Sequence, residues 1–255
     1  MSVVVEQEGP VLTVTFNRPD KHNAMTFEMY ESLAEACERA DSDDGIRAMV
    51  LRGAGRQAFV SGTDITQFQQ FETGADGLAY EQRIAEVLTR LEDVTVPTIA
   101  VIRGYCVGAG IAIAAVCDLR VAATSARFGV PIARTLGNCL SMNTYSLLVH
   151  HLGPSRAMDM LLRAKLLTGG DAKAAGFVHE LCGDDDLART ATAVVGTVLR
   201  NSPLSMWAAK QAIARLRRAA LPDGDDIVSR VFGSDDFHAA VAAFDTKRQV
   251  NWKGR

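Results

Sequence analysis

β-Branched residues fill 3–5 and recur along 11–16, and these two stretches flank Gly9-Pro10, which predicts an opening β-hairpin over 3–8 and 11–16. Residues 17–24 are rich in turn formers. Thr26 then has the character of an N-cap, with Glu28 in the first turn, and Met29, Leu33, Ala36 and Cys37 mark the inner face of a helix reaching about residue 40. An apolar strand over 48–53 leads into a polar, glycine-bearing turn at 58–65. Residues 68–77 are polar and irregular, and read as a mobile flap. A helix over 78–91 returns the chain to a β-branched run after Pro97. A glycine cluster (Gly104, Gly108, Gly110) and a buried alanine-rich helix follow. The next strand is 119–123, then a turn around Pro131. Helical periodicity dominates afterwards, over 139–152, 155–162, 171–175, 187–200, 203–218, 225–232 and 235–247.

Strands thus fill the first half and helices the last third, without a Gly/Ser linker, so the helical part should dock on the rest. The expected division is a core over 1–195 and a helical oligomerisation region over 196–255. Late helices with apolar faces that no local sheet covers, at 204–216 and 237–244, point to burial against neighbouring copies.

The chain's chemistry gathers at its two glycine turns. Small residues at Gly108, Ala109 and Gly110 allow close backbone approach. A helix beginning there leaves its first N–H groups unpaired, facing whatever fills the turn. Tight strand–helix packing alone would also account for one such turn. Two strand–turn–helix units about 50 residues apart can instead aim two N–H groups at one acyl oxygen.

Composition narrows the classes. The chain has 255 residues, 48% hydrophobic and 22% charged, with a net charge of −3, and so lacks the basic footprint of a nucleic-acid binder. No apolar run has the length of a membrane span, and the N-terminal residues lack a signal-peptide pattern. Five scattered cysteines (Cys37, Cys106, Cys117, Cys139, Cys182) fit reduced thiols and a cytoplasmic setting, with no metal-ligand spacing.

A set of motifs in fixed order then resembles one family. Asn17-Arg18-Pro19 with Asn23-Ala24-Met25, Ala58-Phe59 with Gly62-Thr63-Asp64-Ile65, and Gly104-Tyr105 with Gly108-Ala109-Gly110 and Cys117-Asp118 begin it. Phe128-Gly129 with Pro131, Leu167-Thr168-Gly169 with Ala174-Ala175-Gly176-Phe177-Val178, and Ala243-Phe244 with Lys247-Arg248 complete it. Together they are similar to the crotonase (enoyl-CoA hydratase/isomerase) superfamily over nearly the whole chain. The resemblance implies an α/β fold, a spiral of ββα units with a C-terminal helical trimerisation region. It implies an acyl-CoA thioester as partner, a trimer or dimer of trimers, and no separate cofactor, since coenzyme A enters with the substrate.

Carried over by residue, it makes the main-chain N–H groups of Thr63 and Ala109 the oxyanion hole. Lys21, His22 and Ala24 would meet the nucleotide of CoA, although Lys21 alone also reads as a solvated cation. Ser61, Gly62, Asp64, Ile65 and Gly108 would line the remainder of the CoA path. The resemblance also marks a departure: Ala112 and Ile132 stand where hydratases of the family carry two glutamates. Ordinary hydration is therefore disfavoured. Asn138, Ser141 and Asn143 are candidates to line the acyl pocket, and Cys139 reads as a packed thiol rather than a nucleophile. Glu81 and Arg83 read as surface charges, with the cleft as the alternative. Asp118 reads as a structural cap, His150 and His151 as ordinary helix residues, and 223–226 as a helix start. The expected activity is acyl-CoA processing through a stabilised enolate or oxyanion. Thioester hydrolysis, decarboxylation and non-catalytic acyl-CoA binding remain open alternatives.

Overall fold

The computed structural model describes residues 1–244 and 250–254. The chain opens with the antiparallel hairpin β1 (Val3–Glu8) and β2 (Val11–Phe16), followed by α1 (Phe27–Ser42), which Thr26 caps by accepting from the Met29 N–H. Three strand pairs then follow in turn: β3 (Ala48–Gly53) with β4 (Ala58–Val60), β5 (Thr98–Ile102) with β6 (Tyr105–Val107), and β7 (Leu119–Ala123) with β8 (Arg127–Gly129). A helix succeeds each pair: α2 (Gly74–Asp93), α3 (Ala109–Val116) and the short α4 (Ile132–Thr135). The first strand of every pair joins a six-stranded sheet, β1-β2-β3-β5-β7-β10, parallel from β2 onward and closed by β10 (Glu180–Cys182). The second strand joins a four-stranded sheet, β4-β6-β8-β9, whose last member is β9 (Leu167–Thr168). This is the ββα spiral that the resemblance implies.

The large sheet is covered on both faces. Met49 and Leu51 of β3 face the main core with α1, α2 and α3, while Ala48 and Val50 face a second core closed by Leu187 and Val195. Burial on both sides is why β3 reads as a continuous apolar run rather than an alternating one. The helix that closes it, α8 (Leu187–Leu199), spans the expected division at 195/196.

The remaining helices are α5 (Met142–Leu152), α6 (Pro154–Leu162), α7 (Gly169–Ala174), α9 (Pro203–Arg218), α10 (Asp225–Phe232) and α11 (Asp235–Phe244). Helix α5 begins three residues later than periodicity suggests, because Ser141 takes the N-cap position and accepts from the Thr144 N–H. The last residues expected in α11, with Lys247 and Arg248, lie outside the described residues.

Two expectations need correction. The irregular flap is held in place: Thr73 and Asp76 form a capping box that starts α2 at Gly74. Phe68 and Phe71 pack there with Tyr80, Phe232 and Phe237. The same cluster covers the apolar face of α11 within the chain, since Phe237 is fully buried. Helix α10 sits so close to α2 that a Cβ on Gly77 would lie 2.2 Å from the Phe232 side chain. Helix α9, by contrast, leaves Leu204, Trp207, Ile213 and Leu216 exposed at positions spread around its axis.

Candidate active site

The turns at Gly62 and Gly108 meet. A Cβ on Gly108 would lie 3.3 Å from the Gly62 Cα, and both residues have positive φ, 107° and 56°. Only glycine adopts this pairing of close approach and backbone angle without strain. The first turn is fixed by Met25, whose N–H donates to the Gly62 carbonyl and whose carbonyl accepts from the Asp64 N–H, at 2.9 and 2.8 Å. The intervening Thr63 N–H points away from that bridge and has no acceptor among the described residues. The side chain of Thr63 lies between two tyrosine hydroxyls, Tyr30 and Tyr80, each 2.7 Å from its Oγ1. In the second turn, Gly108 donates to the Gly129 carbonyl, and Ala109 opens α3 with its N–H unpaired.

Both turns line one cavity of about 260 Å³. Ser61, Gly62, Thr63, Ile65, Gly108, Ala109 and Asn138 lie in its wall, as do the side chains of Ala112 and Ile132. Asn138 leaves its Oδ1 buried without a hydrogen-bond partner among the described residues. Other expected residues stand elsewhere. Asp64 turns to Arg18, 2.9 Å away, and its carboxylate also caps the following 3-10 turn through Thr66. Burial works to raise the pKa of Asp64, but hydrogen bonds from Thr66 and Arg18 outweigh it and hold it low. Lys21, His22 and Ala24 sit on a turn outside the cavity wall, where His22 pairs with Gln57 at 2.7 Å. Buried Asn23 anchors that turn through the Ala54 and Ala58 carbonyls.

Asn143 does not line this cavity; its Oδ1 accepts from Arg217 at 2.8 Å. Nor does Ser141 reach the cavity, because capping α5 occupies its side chain. Cys139 is buried beside Ile227, and burial pushes its thiol up to about 12, which fits packing rather than attack. His151 donates toward the Ala115 carbonyl, and burial together with Arg120 lowers it to about 3. The Asp118 carboxylate accepts from the Thr98 N–H and hydroxyl and pairs with Lys210, tying β5 to α9.

The main correction concerns Glu81. It is not a surface charge; it is 7% exposed and lines the same cavity as the two turns. Its Oε2 accepts from the Ser141 N–H at 2.8 Å, and none of the ion pairs among the described residues includes it. Burial raises its carboxyl from 4.5 to about 7, a shift that the Ser141 hydrogen bonds only partly offset. The sequence did hold a signal. Glu81 continues the inward stripe of Ile84, Leu88 and Leu91 at helical spacing, whereas Arg83 points out to Glu31. The tyrosine pair around Thr63 has no comparable signal, since it joins α1 to α2.

The enoyl-CoA hydratase/isomerase family profile matches residues 6–255. The chain belongs to the enoyl-CoA hydratase/isomerase family. A 2,3-dehydroadipyl-CoA hydratase of Escherichia coli is 30% identical, over 99% of both chains. An (E)-benzylidenesuccinyl-CoA hydratase of Thauera aromatica is 32% identical over the full length of both. The crystal structure of an enoyl-CoA hydratase/carnithine racemase from Magnetospirillum magneticum superposes with a TM-score of 0.82 at 31% identity, covering 100% of this chain and 96% of that one. The enzyme therefore shares fold and family with acyl-CoA hydratases along its whole length.

Proposed function

We propose that this enzyme binds an acyl-CoA thioester and stabilises its enolate with the N–H groups of Thr63 and Ala109. The observation that carries the reading is the junction of the two glycine turns, which leaves two unpaired N–H groups in one largely apolar wall. Donors already held in place need no reorganisation when charge develops on the thioester oxygen. Lys21 and His22 are assigned to the CoA nucleotide by resemblance alone. Relatives named as hydratases support an enoyl thioester as the substrate class.

Hydration with two carboxylates does not fit Ala112 and Ile132, neither of which transfers a proton. Positioned acid–base help contributes typically ~10²–10⁴-fold per group, so crotonyl-CoA hydration should be slow. Robust wild-type turnover of crotonyl-CoA would overturn that part of the reading. Calorimetry with crotonyl-CoA and with CoA tests the whole. Tighter binding of the thioester supports the oxyanion hole, and equal binding removes it. The large apolar side chains that α9 leaves exposed support assembly as a trimer or dimer of trimers, for which a monomer in sedimentation at micromolar concentration is the contrary result.

A further inference from the structure

We propose that Glu81 is the single carboxyl that moves the proton at the α-carbon of the bound thioester. The inference rests on the acyl-CoA reading above and names the proton carrier that reading lacks. Glu81 lies in the same cavity wall as Thr63 and Ala109, on a different element from Ala112 and Ile132. Hydrogen bonds from Ser141, its main-chain N–H at 2.8 Å among them, orient Glu81, and no cation pairs with it among the described residues. Nearby, the Oδ1 of Asn138, buried and unpartnered among the described residues, is a second polar atom in that wall awaiting a ligand's donor.

Among the described residues facing Glu81, none other titrates near neutrality. Tyr80 stands beside it on α2, Tyr30 comes from α1, Cys139 from the segment before α5, and Tyr145 from α5. Burial raises all four, so they stay neutral, whereas burial brings Glu81 itself to about 7. A carboxyl with a pKa close to the working pH is suited both to take and to return a proton.

The step balances within the site. The Glu81 carboxylate takes a proton from the α-carbon, and the C–H electron pair becomes the carbon–carbon double bond of the enolate. The carbonyl electrons move onto the thioester oxygen, facing the Thr63 and Ala109 N–H groups. Return of the proton to the α-carbon restores the substrate; delivery to the γ-carbon of a 3-enoyl thioester shifts the double bond into conjugation. No oxidant, metal or second acid takes part.

The test uses but-3-enoyl-CoA in D₂O with the full-length protein, following deuterium at the α-carbon by NMR and binding by calorimetry. The wild type should incorporate deuterium, with a rate that inflects near pH 7. Glu81→Gln keeps an acceptor for Ser141 and should bind the thioester with unchanged affinity, while exchange slows by about 10²–10⁴-fold and loses its inflection. Glu81→Asp, a shortened carboxylate, should be slow but keep the inflection, which a purely structural role would not produce. Binding without exchange in the wild type overturns the proposal, as does wild-type exchange by Glu81→Gln. If neither protein prefers the thioester over CoA, the acyl-CoA reading itself falls.

Discussion

Helix α2 carries two carboxylates about three turns apart along one side, buried Glu81 and largely buried Glu92, and surrounds them differently. Glu92 accepts from Arg217 at 2.6 and 3.1 Å and is paired also with Arg218, which in turn reaches Asp93 at 2.9 Å. Glu81 accepts only from Ser141 and has no cation partner among the described residues. The first arrangement fastens α9 to α2 and keeps the charge compensated. The second leaves a proton with little preference for staying or leaving. Burial alone therefore does not single out a candidate for proton transfer; burial without a cation, on a cavity wall, does.

The largest effect that would sharpen the contrast comes from Glu92→Ala. It leaves the Arg217 guanidinium, whose side chain is 3% exposed, buried without its counter-charge. Removing one partner of a buried pair costs about 3–5 kcal/mol, so the urea midpoint should fall steeply. A change below about 1 kcal/mol would mean that the pair behaves as a surface bridge.

Glu81→Gln should act in the opposite direction, and only above a certain pH. The folded state holds the Glu81 proton up to about 7, while the unfolded chain releases it near 4.5. Folded protein thus binds more protons across that window, and its stability falls as pH rises through it. Glutamine carries no such dependence. The variant should match the wild type near pH 4 and exceed it above pH 7 by up to about 3 kcal/mol, at 1.36 kcal/mol per pKa unit. Melting temperatures that track one another across that range would place the Glu81 carboxyl in an ordinary solvated setting.

The same contrast explains what was legible in the sequence. The large sheet was readable because its strands run five or six residues and carry clear apolar patterns, apart from the three-residue β10. The small sheet was not: β4, β6 and β8 have three residues each and β9 has two, too few to show an alternation, so they read as turns. Glycine turns announce themselves because no other residue fits, and both were found. Glu81 was misjudged because charge outweighed spacing on α2. Asn143 was misjudged because its partner, Arg217, comes from a helix far along the chain. The covering of Phe237 depends likewise on long-range packing, against Phe68 and Phe71.

A milder perturbation of the hole is Gly108→Ala. The backbone there has φ 56° and ψ −120°, and an added methyl would press on the Gly62 Cα at 3.3 Å. Holding a residue in such a region costs on the order of 1–3 kcal/mol. If the turn aims the Ala109 N–H at a thioester oxygen, crotonyl-CoA affinity should fall more than CoA affinity. Equal losses would reduce the turn to a structural junction and leave Glu81 facing no oxyanion hole.

The smallest effect is expected beside Glu81 itself. Tyr80 precedes it on α2, lines the same cavity and has a hydroxyl 2.7 Å from Thr63 Oγ1. Burial raises that phenol well above 10, so it stays protonated at neutral pH, and the hydroxyl serves to hold Thr63. Tyr80→Phe removes one hydrogen bond and leaves Tyr30 on the other side of Thr63. The loss should be about 1 kcal/mol of stability, with exchange at the α-carbon reduced only a few-fold. Its inflection near pH 7 should survive, because Glu81 keeps its donor and its cavity. Loss of the inflection in Tyr80→Phe, with binding intact, would move the acid–base role from the carboxyl to the hydroxyl chain Tyr30–Thr63–Tyr80. The two outcomes separate a residue that transfers the proton from one that only steadies the oxyanion hole.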